Sequence, residues 1–113
     1  MKIEGDAKRV RVYIGESDRH GGKSLYGAIV ERCRAEGFAG VTVLRGIEGF
    51  GAHSRIHTAR ILQLSEDLPI VLEIVDRPER IDQLLPILDE MVHEGLVTVE
   101  DVHVLKYVSG ASG

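Results

Sequence analysis

Cysteine and aromatic residues are scarce in this sequence, which has one cysteine, no tryptophan, two phenylalanines and three tyrosines. Cys33 has no second cysteine with which to form a disulfide, and it lies on an apolar helical pattern, so we interpret it as a core residue. So few aromatic rings leave little surface for stacking nucleic-acid bases. The net charge of −4 also argues against nucleic acid as a partner, because that interaction needs a positive surface.

Long apolar runs are missing as well. No run approaches the roughly 20 apolar residues of a membrane-spanning helix, and no apolar stretch typical of a signal peptide follows Met1. We therefore expect a cytoplasmic protein. With 113 residues, 43% of them hydrophobic and 28% charged, the chain fits a single globular domain over 1–113. Residues 1–7 and 108–113 are predicted to be flexible tails.

The first half of the chain predicts a strand, a helix and a second strand. Alternating apolar residues indicate a strand over 8–15, and helical spacing indicates a helix from Leu25 that ends at Gly37. A second strand is predicted over 41–45. The segment 46–66 is rich in glycine and cationic residues, and it is the longest predicted loop.

The second half predicts a strand, a helix and a final strand. Residues 68–75 carry apolar side chains on both faces, which is typical of a strand covered on two sides. Asp76 is a good N-cap for a helix that runs to Gly95. The final strand is predicted over 101–107, with a break near Glu100 where the phase of the apolar residues changes.

The order of these elements is β-α-β-β-α-β, which is the ferredoxin-like arrangement of the α+β class. Right-handed crossovers place both helices on one face of an antiparallel sheet. The other face would still carry apolar residues of the third strand, so we expect a homo-oligomer to cover it. Glu73 interrupts this strand, and we expect it to pair with Arg11 across the two central strands.

A guanidinium and several glycines mark the start of the long loop. Arginine binds anions through planar hydrogen bonds, glycine-rich backbone can direct N–H groups into a concavity, and an aromatic ring can stack on a ligand. A surface turn that needs glycine only for its backbone angles explains the same residues, and the residues alone leave both interpretations open. The candidate ligand-binding residues of this segment are Arg45, Gly46, Gly49, Phe50, Gly51 and Arg55.

Lys23 is a further candidate, because it follows Gly21 and Gly22 at the start of the first helix. A lysine at a helix N-terminus adds charge where anions are favoured. The segment matches only the end of a phosphate-binding P-loop, because Ser17 stands where that motif requires glycine. We therefore favour an ordinary helix start over nucleotide hydrolysis.

His53 and His57 are spaced four residues apart and could provide two ligands for a metal ion on one helical face. Two solvated histidines in a polar loop are the simpler interpretation. No nucleophile beside a base is apparent in the sequence, since Ser54 and His57 are only neighbours along the chain. We therefore expect a protein that is not an enzyme.

Several separated motifs resemble a bacterial and archaeal family of PII-like proteins, catalogued as the domain of unknown function number 190. The motifs are Tyr-Ile-Gly-Glu at 13–16, Val-Leu-Arg-Gly-Ile-Glu-Gly-Phe-Gly at 43–51, Ser-Arg-Ile-His-Thr at 54–58, Ser-Glu-Asp-Leu-Pro-Ile-Val at 65–71 and Leu-Val-Thr-Val at 96–99. The resemblance covers about 8–107, nearly the whole chain. It implies the PII-like fold, a homotrimer whose sheets pack centrally, and ligand clefts between subunits at the base of the long loop.

The same resemblance implies a non-catalytic signalling protein that binds a small anionic ligand, with adenine nucleotides as the leading candidates. It favours the binding interpretation of Arg45 and its glycines. A membrane transporter or channel is implied as a partner, since some relatives are similar to proteins encoded beside fluoride channels. The ATP-binding loop of classical PII proteins is missing here, because only three residues, 93–95, fill that connection. Metal-tolerance proteins of the same trimeric fold keep His53 and His57 as the alternative.

Overall fold

The computed structural model describes residues 1–50 and 67–109. The predicted α+β order is confirmed, and a two-stranded hairpin occupies the turn between the first strand and the first helix. The elements are β1 (Lys2–Gly15), β2 (Arg19–His20), β3 (Lys23–Ser24), α1 (Leu25–Ala35), β4 (Thr42–Arg45), β5 (Pro69–Asp76), α2 (Pro78–Met91) and β6 (Leu96–Val108).

The four longer strands form one antiparallel sheet in the order β4-β5-β1-β6. This is the ferredoxin-like order, with β1 and β5 at the centre. One face of the sheet joins both helices in a single core, because apolar side chains at alternate positions of the central strands pack with the apolar stripes of α1 and α2. The core residues include Val10, Val12, Ile14, Leu25, Ile29, Cys33, Ile70, Leu72, Ile74, Ile81, Leu84 and Leu88.

The first helix has defined signals at both ends. The Ser24 hydroxyl accepts a hydrogen bond from the Gly27 amide at 3.3 Å, so serine caps the N-terminus. At the other end, Gly37 has φ +78°, the left-handed conformation that terminates helices. The Arg80 guanidinium of α2 donates to the Glu36 carbonyl at 2.6 Å, and it lies 4.2 Å from the centre of the Phe38 ring. The helix therefore ends where the sequence predicts.

The first and the last strand of the chain are longer than predicted. β1 begins at Lys2, so residues 2–7, which were predicted to be a flexible tail, pair with the far half of β6. β6 itself runs from Leu96 to Val108. The local sequence pattern is weak in these segments. Residues 2–7 and the far half of β6 become strands by pairing with each other, and that pairing depends on tertiary contacts. Residues 110–113 lie outside the described residues.

The predicted break near Glu100 is wrong. Glu100 pairs with Arg9 in a continuous register, and the irregularity lies farther along, between Ile3 and Gly5 of β1. Val97 and Val99 oppose residues of the helix-covered face, whereas Val102 and Val104 oppose residues of the other face. The change of apolar phase therefore reflects a change in the face that carries apolar side chains, and the backbone needs no break.

Asp76 does not cap α2, contrary to the prediction. The N-cap residue is Arg77, and Asp76 is the last residue of β5, only 2% exposed. Its carboxylate accepts hydrogen bonds from the Ala39 amide at 3.0 Å and the Arg77 amide at 2.8 Å. Strand alternation turns this side chain toward the helices, so it ties the connection between α1 and β4 to β5.

No helix in residues 1–50 or 67–109 is long and apolar enough to cross a membrane.

Candidate functional site

Arg45 and Glu16 form an ion pair at one end of the sheet. Arg45 is the last residue of β4, and its Nη2 donates to Oε2 of Glu16, which follows β1. The Arg45 side chain is 59% exposed, whereas that of Glu16 is 20% exposed. The Glu16 amide also donates to the Leu68 carbonyl at 2.8 Å. The pair therefore connects the ends of β1 and β4, with the residue before β5 fixed against Glu16.

The glycines after Arg45 allow the chain to pass close to β5. The Gly46 amide donates to the Pro69 carbonyl at 2.7 Å, and a Cβ atom on Gly46 would lie 3.2 Å from Cβ of Pro69. Gly49, with φ +155°, would place a Cβ atom 3.1 Å from Cγ of the same proline. Phe50 is 69% exposed. The Gly46 N–H is thus occupied by the backbone, while the Phe50 ring is accessible.

Three carboxylates surround this strand end, and none of them was predicted to be a site residue. Oδ2 of Asp18 accepts from the Gly15 amide at 3.0 Å, and Oδ1 of Asp67 accepts from the Ser17 amide at 3.2 Å. Glu16 lies between Gly15 and Ser17, so these two hydrogen bonds hold the backbone on either side of it. An acidic residue that follows a strand typically fixes the local turn through a backbone amide, and this signal could have predicted the Asp18 contact. Asp67 precedes β5 and contacts an amide 50 residues away, so its contact has no local signal. The Glu16 contact with Arg45 has no comparable local signal.

Lys23 lies in a different surface depression. Its Nζ is 2.9 Å from Oε2 of Glu31 on α1. The depression has a volume of about 370 Å³, and none of the residues from Arg45 to Phe50 lines it. The structure therefore does not bring Lys23 together with Arg45. The lining residues are His20, Gly21, Lys23, Ala28, Glu31, Arg32 and Met91.

Four predicted site residues lie outside the described residues: Gly51, Arg55, and the two histidines of the metal hypothesis, His53 and His57. Within residues 1–50 and 67–109, no group of three or more histidine, cysteine, aspartate or glutamate side chains is arranged to hold a metal ion.

A network of charged side chains crosses the sheet face that no helix covers, which we call the open face. Arg11 Nε donates to Glu73 at 2.9 Å, which confirms the predicted pair. Glu100 accepts from Arg9 at 2.9 Å and from Arg11 at 3.4 Å. The hydrogen bond from Arg9 lowers the pKa of Glu100, and the hydrogen bond to Glu73 raises the pKa of Arg11. The network therefore links β6, β1 and β5 with alternating charges.

Apolar side chains flank this network on the open face. Val71 and Val75 of β5 are half-buried, and strand alternation places them on the same face as Glu73. Leu44 of β4, which pairs with Val71, is 48% exposed, and Leu96 of β6 is 55% exposed. The open face therefore combines neutralised charges with exposed aliphatic surface, which is the composition of an interaction surface.

The fold is that of the PII-like class. A solved structure of CPII bound to ADP and bicarbonate, from Thiomonas intermedia K12, superposes with a TM-score of 0.64 and covers 92% of this chain and 91% of that chain. The sequence identity is 17%, so this likeness shows the fold alone. The resemblance to PII-like proteins is confirmed at that level.

The chain belongs to the DUF190 family, described as "Uncharacterized ACR", whose model matches residues 7–104. A UPF0166 protein of Aquifex aeolicus (strain VF5) is 37% identical over 98 residues, which are 87% of this chain and 92% of that protein. A UPF0166 protein of Methanocaldococcus jannaschii is also 37% identical, over 101 residues that cover 88% of this chain and 93% of the relative. The family predicted from the sequence motifs is therefore confirmed.

Proposed function

We propose that this protein is a non-catalytic, cytoplasmic PII-like signalling protein. It forms a homotrimer, binds a small anionic ligand at clefts between subunits, and regulates a partner through the connection between β4 and β5. The observation that carries this proposal is the position of Arg45. Its guanidinium is exposed at the base of that connection, in a fold shared with a protein solved with ADP and bicarbonate.

The open face supports the oligomer. Half-buried Val71 and Val75, together with exposed Leu44 and Leu96, leave aliphatic surface that burial against another copy would stabilise at roughly 25 cal/mol per Å². The charged residues of the network on this face, Arg9, Arg11, Glu73 and Glu100, already have partners of opposite sign. Covering the network therefore leaves none of these four charges alone in the interface, which is the costly case.

The chemistry of Arg45 suits an anion that carries coplanar oxygens. A guanidinium donates parallel hydrogen bonds to carboxylate, carbonate or phosphate oxygens. Glu16, Asp18 and Asp67 make the described part of the site acidic, so a polyanion such as ADP needs further positive charge from a neighbouring subunit. A cleft at a subunit boundary would receive this positive charge from the second subunit. Ligand binding at Arg45 therefore depends on the oligomer.

Regulation follows when the ligand binds two arrangements of the β4–β5 connection with different affinities. A ligand that binds both equally would shift neither population. The preferred arrangement then docks on a partner, for which the family resemblance favours a membrane transporter or channel. The level of ligand in the cell would thereby set the occupancy of the partner.

Native mass spectrometry and calorimetry test this proposal together. Native mass spectra of the purified protein are expected to show three chains and any retained nucleotide. ADP is expected to bind Arg45→Ala at least about tenfold more weakly than wild type, because a charge-assisted hydrogen bond contributes about 1.5–3 kcal/mol. Arg34→Ala is the matched control, since Arg34 is exposed on α1 and its loss changes the net charge equally. Equal ADP affinity in wild type and Arg45→Ala contradicts the proposed contact.

A further inference from the structure

The ion pair of Arg45 and Glu16 has one anchored partner and one movable partner. The Glu16 side chain is 20% exposed, and its backbone amide is bound to the Leu68 carbonyl at 2.8 Å. The Arg45 side chain is 59% exposed and has more rotatable bonds. When the pair separates, the arginine is therefore the side chain that moves, and the carboxylate stays at the end of β1.

Glu16 also occupies the guanidinium that an anionic ligand needs. An anion that approaches Arg45 meets the negative charge of Glu16 at the same guanidinium, and two like charges a few ångströms apart repel. The neighbouring acids cannot relieve this repulsion, because Asp18 and Asp67 add negative charge of their own while they hold the Gly15 and Ser17 amides. A bound anion and an intact Arg45–Glu16 pair are therefore unfavourable together.

We propose that Glu16 is a built-in competitor for the ligand, so that an anion binds by taking the Arg45 guanidinium from the Glu16 carboxylate. This inference rests on the proposed function and assigns Glu16 as the residue that sets ligand affinity at the same site. In the ligand-free protein, the Arg45–Glu16 pair is formed. The apparent affinity for the anion is therefore lower than the affinity of the unpaired state, because only the unpaired fraction of molecules can bind it.

The exchange also reaches the β4–β5 connection. Arg45 directly precedes Gly46, whose amide is bound to the Pro69 carbonyl at 2.7 Å. When Arg45 is paired with Glu16, the ion pair holds the end of β4 against the end of β1. When Arg45 binds a ligand instead, that contact between the two strand ends is lost. The competition thus links anion binding to the start of the connection, which is the physical link that a regulatory role requires.

Calorimetric titration with ADP of wild type, Glu16→Gln, Arg45→Ala and Glu90→Gln tests the competition. Glu16→Gln keeps the size of the side chain and removes its charge, so we expect ADP to bind about fivefold more tightly, the scale of a surface ion pair. Glu90→Gln removes the same charge from an exposed position on α2 and is expected to leave the dissociation constant within about twofold of wild type. Thermal unfolding of Glu16→Gln, measured in parallel, reports whether the fold is retained.

The outcomes separate this inference from the proposed function. If Arg45→Ala weakens ADP binding while Glu16→Gln leaves it unchanged or weaker, Glu16 does not compete and only this inference is overturned. If ADP binds Glu16→Gln but is not detected on wild type, the competition is supported directly. If Arg45→Ala binds as tightly as wild type, or if no variant binds ADP, the Arg45 site and the competition are overturned together.

Discussion

Arg11 on β1 donates from its Nε to the Glu73 carboxylate on β5 at 2.9 Å, directly across the two central strands of the sheet. The same guanidinium reaches Glu100 on β6 at 3.4 Å, and Glu100 is also bound by Arg9. Two cations and two anions therefore form one chain of contacts on the open face. This balance makes the face suitable for burial against another copy, because no charge is left unpaired.

Reversing one charge of this network is expected to separate the oligomer. Glu73→Arg places a third guanidinium beside Arg9 and Arg11, so that like charges repel on the open face, which is the proposed subunit interface. We expect sedimentation velocity to show the trimer in wild type and smaller species in Glu73→Arg at the same micromolar concentration.

Glu90→Arg is the matched control for this charge reversal, because Glu90 is exposed on α2, in the layer opposite the open face. It is expected to sediment as wild type does. A Glu73→Arg variant that still forms trimers would place the subunit interface elsewhere, and a wild-type protein that sediments as a single chain would remove the oligomer from the proposed function.

Glu100 is expected to make stability depend on acidic pH. Its pKa is lowered from the ordinary value of 4.5, first by the hydrogen bond from Arg9 and then by the charges of Arg9 and Arg11. Because the folded pKa lies below the unfolded one, the contribution is fully present above pH 4.5 and is lost as the pH falls through the folded value. Glu100→Gln should therefore melt at a lower temperature than wild type at neutral pH.

The difference in melting temperature between wild type and Glu100→Gln should shrink as the pH falls below 4.5. Thermal unfolding followed by circular dichroism across this range, at constant protein concentration, measures it. Glu90 makes no such contact in the described structure, so the melting temperature of Glu90→Gln should stay close to that of wild type at every pH. A difference between wild type and Glu100→Gln that stays constant at all pH values would contradict the ionic contribution of Glu100.

Gly95, between α2 and β6, is expected to tolerate no side chain. Its φ is +149°, and a Cβ atom there would lie 2.6 Å from the Tyr13 carbonyl oxygen and 3.1 Å from Cγ2 of Ile14. Backbone strain and overpacking together should lower the free energy of unfolding of Gly95→Ala by about 2–3 kcal/mol. Chemical denaturation with urea measures this change.

Gly40→Ala is the control for that substitution. Apart from Gly40 itself and its two chain neighbours, residues 1–50 and 67–109 place no heavy atom within 4 Å of the position that a Cβ atom on Gly40 would take, and its φ is outside the left-handed region. The free energy of unfolding should stay within about 1 kcal/mol of wild type, with stabilisation as the expected direction, because alanine restricts the unfolded chain. Equal losses in both variants would show that steric contact with Tyr13 is not the cause.

Cys33 is expected to be chemically inert in the folded protein. The thiol is 1% exposed, and burial raises its pKa to about 11. Alkylation requires the thiolate, so iodoacetamide at mildly alkaline pH should modify Cys33 far more slowly in the native protein than in denaturant. Mass spectrometry over a time course measures both rates. Similar rates in the two conditions would show that the helix around Cys33 opens readily.

Local sequence patterns predicted both helices, the central strands and the faces that these elements bury. Apolar alternation in β1 and helical spacing in α1 and α2 arise from the local geometry of each element, so they are readable before any tertiary contact is known. The Arg11–Glu73 pair was predictable for a related reason, since the element order fixes β1 and β5 as the central strands and an isolated carboxylate there is costly.

The candidate site was only partly predictable. Arg45 and its glycines were identified by residue type and by family motifs, and the structure places Arg45 at the base of the connection. Lys23, chosen for its position at a helix start, lies in another depression with Glu31. Residue type indicates what a side chain can bind, but the depression it shares with other residues depends on how strands and helices pack.

Contacts between the ends of different strands depend on the folded sheet and have no local signal in the sequence. Glu16 and Arg45 are 29 residues apart, at the ends of two strands that β5 separates, so their contact depends on the register of two strand pairings at once. The continuity of β6 through Glu100 and the burial of Asp76 have the same origin. Local periodicity specifies which side of an element is apolar. The pairing register and the face that the helices cover are properties of the whole sheet. These properties place the carboxylate of Glu16 beside the guanidinium of Arg45.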